Sequence, residues 1–216
     1  MKTDDFIEGL ARSVEPVAPL QRPWRRATMW FVGAVVYLGM LSVMMSSGMT
    51  FTGIELPDLL AHVAAIGVSA AAAAAAFASV IPGASTRALP WPVVAVTVWV
   101  GMLLVGSLHE WQTLGAVDLG SQREWRCVAM IALGGAVPAL GMAFMLRDGA
   151  PLMPRTTMAL AVLAAAGLAN VGACVSHPHP SSAAILIWHG ATVLSLVAAS
   201  ALLGRVVLSW GRIRQH

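Results

Sequence analysis

Two cysteines and a set of histidines are the residues in this chain best equipped to sense or to bind. Cys127 and Cys174 are the only cysteines, and five of the six histidines, His62, His109, His177, His179 and His189, fall toward the same ends of apolar segments as the thiols. Cys174, His177 and His179 form a C-x-x-H-x-H string, the kind of soft and borderline donor set that holds zinc or a thiophilic ion. Pro178 and Pro180 restrict its shape, and an outer loop exposes histidines for many other reasons, so a metal site and an ordinary polar loop both stay open. His62 and His189 admit a haem pair or, more simply, hydrogen bonds between helices. Met40, Met44, Met45 and Met49 are either soft ligands for Cu(I) or adaptable packing. No nucleophile elbow, phosphate loop or carboxylate pair occurs in any connection, and the connections are too short to build a soluble active site. The expectation is therefore no enzymatic activity and no resident cofactor, with a metal at the periplasmic face the one ligand left open.

The elements that carry these residues are membrane helices. Of the 216 residues 58% are hydrophobic and 11% charged, against roughly 25% charged in an ordinary soluble domain. Six uncharged segments of membrane-spanning length lie near residues 27–47, 59–81, 91–108, 128–146, 156–173 and 183–204. Runs this long and without alternation pair their backbone polar groups as helices, not barrel strands. The fold class is all-α: a polytopic membrane protein, a bundle of six transmembrane helices. None of the spans carries Asp, Glu, Lys or Arg in its central part, which argues against a transporter or a proton pump. The first span is no signal peptide, because largely polar residues precede it and no small-residue cleavage pattern follows.

The fourth and fifth spans form a hairpin bracketed by the two cysteines. Its turn, Arg147-Asp148-Gly149-Ala150-Pro151-Leu152-Met153-Pro154-Arg155, carries the charges and the helix breakers. A chain that crosses and returns through arms of equal length puts Cys127 and Cys174 at one membrane surface. Pro138, in the middle of the fourth span, predicts a kink, and the alanine run 70–76 in the second span predicts close helix packing. Of the thirteen lysines and arginines, only Arg123 and Arg126 fall in the connections on the cysteine side. That asymmetry predicts an inner-membrane protein of a bacterial cell, multi-pass, with N- and C-termini cytoplasmic. The thiols then face the periplasm, where a disulfide is permitted.

The division is residues 1–26 as a cytoplasmic tail and juxtamembrane anchor, 27–208 as the transmembrane domain, and 209–216 as a cytoplasmic C-terminal tail. Within the first, Thr3, Asp4 and Asp5 suit the start of a short amphipathic helix. Phe6, Ile7, Leu10, Ala11 and Val14 share one face of it, opposite Asp5, Glu8, Arg12 and Glu15. A helix this short is marginal by itself, so the apolar stripe calls for a partner. Four acidic residues against Lys2 and Arg12 within residues 1–15 favour a basic protein surface over anionic lipid. Pro16, Pro19 and Pro23 then give an extended spacer, and Arg22, Arg25 and Arg26 flank Trp24 as an ordinary interfacial anchor in the lipid bilayer, with no nucleic-acid patch. Trp210, Arg212 and Arg214 anchor the last helix in the same way.

The opening Met-Lys-Thr-Asp-Asp-Phe-Ile-Glu-Gly-Leu, with Pro16-Val17 and Arg22-Pro23, resembles the start of the NrsF family of membrane-bound anti-sigma factors. The hairpin is similar to that family too, in Cys127, the mid-helix Pro138 and a Leu-Arg-x-x-Ala-Pro-x-x-Pro pattern from Leu146 to Pro154. Leu203-Gly204-Arg205 and Trp210 resemble its closing element. The resemblance covers almost the whole chain. It implies six membrane helices, no catalysis, and repression of an extracytoplasmic-function sigma factor by the tail, and the tail's apolar stripe and acidic edge then make Asp4, Asp5, Phe6, Ile7, Leu10 and Val14 the expected binding surface. It also implies two outer-face cysteines that sense an external stress. Cys127 fits one position. The family's second cysteine is followed directly by proline, whereas this chain reads Cys174-Val175-Ser176-His177-Pro178, so Cys174 or His177 takes that position, with His179 beside it. The competing reading from the residues alone is a small membrane redox or metal-binding protein that uses its outer histidines and cysteines.

Overall fold

The computed structural model describes residues 3–13, 20–45, 56–83, 86–115, 121–176 and 181–208. The helices are α1 (Thr3–Ser13), α2 (Pro23–Met45), α3 (Leu56–Ser79), α4 (Pro90–Leu114), α5 (Ser121–Ala129), α6 (Gly135–Leu146), α7 (Pro154–Ser176), α8 (Ser182–Ala184) and α9 (Gly190–Val207). Two π-helical segments, Met130–Gly134 and Ile185–His189, join α5 to α6 and α8 to α9, so each of those pairs is one continuous span. Among the described residues there is no strand. Among the described residues six spans are long and apolar enough to cross a membrane: α2, α3, α4, the α5–α6 unit, α7 and the α8–α9 unit.

The bundle is organised around α7. Of its membrane-length window 67% is buried, against 17 to 44% for the other five. The reason lies in its side chains, for Ala161, Ala164, Ala165, Ala166, Ala169 and Ala173 are all buried and short enough to let neighbours approach on every side. Helix α3 meets it with the matching stripe Ala72, Ala73, Ala75 and Ala76. Ser69 of α3 donates to the Ala164 carbonyl at 2.6 Å, and Ser79 and Thr157 share a hydrogen bond at 2.9 Å. The outward faces carry Leu133, Leu140, Phe144, Leu194, Leu202 and Val206, all exposed, as lipid-facing side chains of such a bundle must be.

Pro138 is accommodated within a continuous span. Proline supplies no N–H to the carbonyl four residues earlier and crowds it, and that carbonyl belongs to Gly134, the last residue of the π segment. The wider turn leaves room for the ring. The expected helix ends also move: α5 begins at Ser121 and α7 continues to Ser176, so Cys127 and Cys174 lie inside helices, beyond the hairpin arms drawn from hydropathy alone.

Candidate functional site

At the cysteine end of the bundle both thiols are buried. Cys127 packs among Met130, Ile131, Ala166, Ala173 and Val193. Cys174, the next residue after Ala173, belongs to a different apolar cluster with Ala65, Val68, Trp99, Leu103 and Ile185. Adjacent positions on α7 thus serve the two thiol environments. Trp125 and Trp188, ring centroids 6.0 Å apart, bring the segment before Cys127 against the segment before His189.

Cys174 is not in a purely apolar setting. The Nδ1 atom of His189 stands 2.6 Å from Oδ1 of Asn170 and 3.7 Å from Sγ of Cys174. His189 is 0% exposed and Asn170 3%, so the three side chains form a polar cluster inside the bundle. Asn170 and Cys174 are four apart on α7 and share one face, and His189 reaches them from the end of the second π segment. The interhelical hydrogen bond expected of His189 is present; His62 instead bonds the Asp58 carbonyl of its own helix. Asn170 carries no full charge and so does not stand out in the hydropathy of its span. Its signal was an amide among alanines and glycines in a span, a residue that must find a partner in a low-dielectric interior.

Close by, the last span is started by two polar contacts. Glu110 Oε1 accepts from the Ser182 N–H at 2.7 Å, and Ser181 Oγ accepts from the Ala184 N–H at 3.1 Å. A carboxylate and a hydroxyl there satisfy donors that a helix N-terminus leaves open. His177 and His179 lie outside the described residues, as does Met49. Met40, Met44 and Met45 are exposed, as is His109. Among the described residues no group of three His, Cys, Asp or Glu stands close enough to hold a metal ion.

At the other end, the hairpin turn ties three other helices together. The Ala150 N–H donates to the Val80 carbonyl at 2.9 Å, and Arg147 Nε donates to the Val207 carbonyl at 3.1 Å. Arg26 of α2 donates to the Met145 carbonyl, lies 3.7 Å from Asp148 and places its guanidinium 5.1 Å from the Phe77 ring centre. Arg26 is 5% exposed, which corrects its reading as a headgroup anchor. Its helical position turns it into the bundle, where a carbonyl, an aromatic face and a carboxylate receive it. Arg22, Arg25 and Trp24 are exposed.

Helix α1 forms where the tail was expected to be helical. Every one of its described side chains is exposed, among them Asp5, Ile7 and Leu10, and Glu8 pairs with Arg12 at 2.6 Å one turn on. The side chains of Asp4 and Phe6 lie outside the described part, and so does Val14.

No curated protein and no solved structure matches this chain. Residues 10–210 match NrsF, negative regulator of sigma F. That match takes in all six spans, the hairpin turn with Arg147 and Ala150, and both thiol environments, and the chain therefore belongs to the NrsF family of negative regulators of sigma F.

Proposed function

We propose that this protein is a membrane-bound anti-sigma factor that sequesters an extracytoplasmic-function sigma factor through α1 and releases it when a stress signal acts near Cys127 and Cys174. The observation that carries the reading is α1 itself: an amphipathic helix in a family of sigma regulators, with Ile7 and Leu10 exposed instead of packed on the bundle. A sigma factor presents basic surface for DNA, and the acidic edge with Asp4, Asp5 and Glu8 is complementary to it. Apolar anchors worth roughly 1.5 to 3 kcal/mol each when buried only just cover the ordering of so short a helix. Tethering at the inner membrane supplies the rest as local concentration. The protein acts by binding and release, with the termini cytoplasmic and the thiols periplasmic, as the arginine asymmetry favours.

The test is a binding measurement with the full-length protein in detergent and an extracytoplasmic-function sigma factor of the same cell. Leu10→Ala should weaken the complex about thirtyfold, roughly 2 kcal/mol for a buried anchor. Asp5→Asn should mainly slow association and flatten its salt dependence. Equal affinity for wild type and Leu10→Ala would remove α1 as the binding element.

A further inference from the structure

A methionine that fills no gap in a core is still an oxidisable sulfur. Met40, Met44 and Met45 lie in the last turns of α2, and all three are exposed, Met44 by 84%. Met40 and Met44 continue a stripe of exposed side chains, Met29, Val32 and Val36, along one face of the helix, so they point away from the bundle. The other side of the same turns packs inward. Ser42 Oγ donates to the Gly172 carbonyl at 3.4 Å, two residues before Cys174, and Leu41 packs against the cluster that holds Cys127. The three thioethers therefore sit at the thiol end of the bundle, on its outside, while Cys127 and Cys174 are only 2% and 8% exposed. A helix of 23 residues is about 34 Å long against roughly 30 Å of hydrocarbon, which brings its last turn to the edge of the apolar layer.

We propose that Met40, Met44 and Met45 form an oxidation site for a small two-electron oxidant of the hypohalous acid class, and that this site reacts before either thiol. Oxidation of a protein sulfur follows exposure as well as thiolate character. Burial withholds both cysteines from the oxidant, and exposure offers the thioethers to it. With hypochlorous acid the O–Cl bond breaks as an S–O bond forms; sulfur loses two electrons, chlorine gains them, and chloride and a proton leave. The sulfoxide is polar where the thioether was apolar, so the modified end of α2 favours the headgroup layer over hydrocarbon. Because α2 is the helix that follows the tail, the first covalent change in the chain falls on the element that carries α1. The site itself does not depend on what α1 binds.

The experiment treats the full chain in native membranes with graded, limiting hypochlorous acid, quenches the reaction, and follows each methionine and cysteine by peptide mass spectrometry. Met44 and Met45 should reach half conversion at about one tenth of the dose needed by either cysteine or by the buried Met130, Met142 and Met158. The same chain unfolded in dodecyl sulfate has lost the burial, and there the two thiols should react first. Oxidation of Cys127 or Cys174 in membranes at a lower dose than Met44 and Met45 overturns the proposal. So does conversion of Met44 and Met45 no faster than that of the buried methionines. An order of reaction that is the same in membranes and in dodecyl sulfate overturns it too, because the fold would then not be what selects the site. The sigma factor takes no part, so a failed result here leaves the binding role of α1 standing, and a failed binding test leaves this one standing.

Discussion

The indole Nε1 of Trp30 donates to the main-chain carbonyl of Pro138 at 2.9 Å. Trp30 sits on the helix that continues from the tail, and Pro138 lies midway along the span that begins beside Cys127. Both are buried, so the contact is a polar link in a low-dielectric interior, where a lost partner is not replaced by water. The first and fourth spans are thus joined near mid-span. Trp30→Phe should cost about 1 kcal/mol, the loss of one buried hydrogen bond to a carbonyl that keeps its helical partner, while most of the ring volume stays. Thermal unfolding in detergent checks it, and an unshifted midpoint would show the bond to be worth nothing.

Gly204 and Gly141 make a paired prediction about packing. A Cβ at Gly204 would lie 2.5 Å from the Pro154 carbonyl oxygen, a backbone atom that cannot step aside, whereas a Cβ at Gly141 meets nothing within 4 Å. Gly204→Ala should therefore part α9 from the start of α7 and destabilise by about 1 to 3 kcal/mol. Gly141→Ala should be neutral or slightly stabilising through helix propensity. Unfolding midpoints of the two variants that fall in the reverse order would contradict the close approach.

The six spans were legible because charge-free runs of membrane length have one structural answer, and α1 was legible from the spacing of Ile7 and Leu10. Position around a helix was not. Arg26 belongs to a basic cluster with Arg22 and Arg25, and composition alone assigns all three to headgroups; only the packed bundle shows that one of them turns inward onto Met145 and Phe77. Asn170 was overlooked for a related reason, because an uncharged amide barely lowers the hydropathy of a span yet demands a partner, and that partner, His189, comes from a different helix. The equal arms of the hairpin put both thiols at one end of the bundle, but their burial in two separate clusters depends on how α7 packs, which no single span reveals.

Arg26 and Asp148 should behave unequally. Asp148 is exposed and 3.7 Å from the guanidinium, so Asp148→Asn should change stability by less than about 1 kcal/mol, as for other solvated ion pairs. Arg26→Ala also loses the bond to the Met145 carbonyl and the contact with Phe77, and should cost about 1 to 3 kcal/mol. Arg26→Lys should recover only part of this, because an ammonium lacks the planar fork that stacks and donates together. Chemical or thermal denaturation of the three variants checks the ranking, and equal losses for Asp148→Asn and Arg26→Ala would contradict it.

The proposed orientation predicts the behaviour of alkaline-phosphatase fusions. Fusions after Ile54 and Val117 should be active and one after Gly149 inactive, since only the first two positions fall in connections on the cysteine side. An active fusion at Gly149 would invert the topology and put the thiols in the reducing compartment.

The central claim is that α1 holds the sigma factor inactive, and it is tested most directly in cells carrying a transcriptional reporter for that sigma factor. The full-length protein is made with Phe6 and Leu10 both changed to alanine, and its level in the membrane is verified. Loss of two apolar anchors removes roughly 3 kcal/mol or more of binding, so the reporter should rise to nearly the level seen without the protein, in the absence of any stress. A reporter that stays fully repressed, with the variant present in the membrane at the normal level, would contradict the assignment of α1 as the inhibitory element.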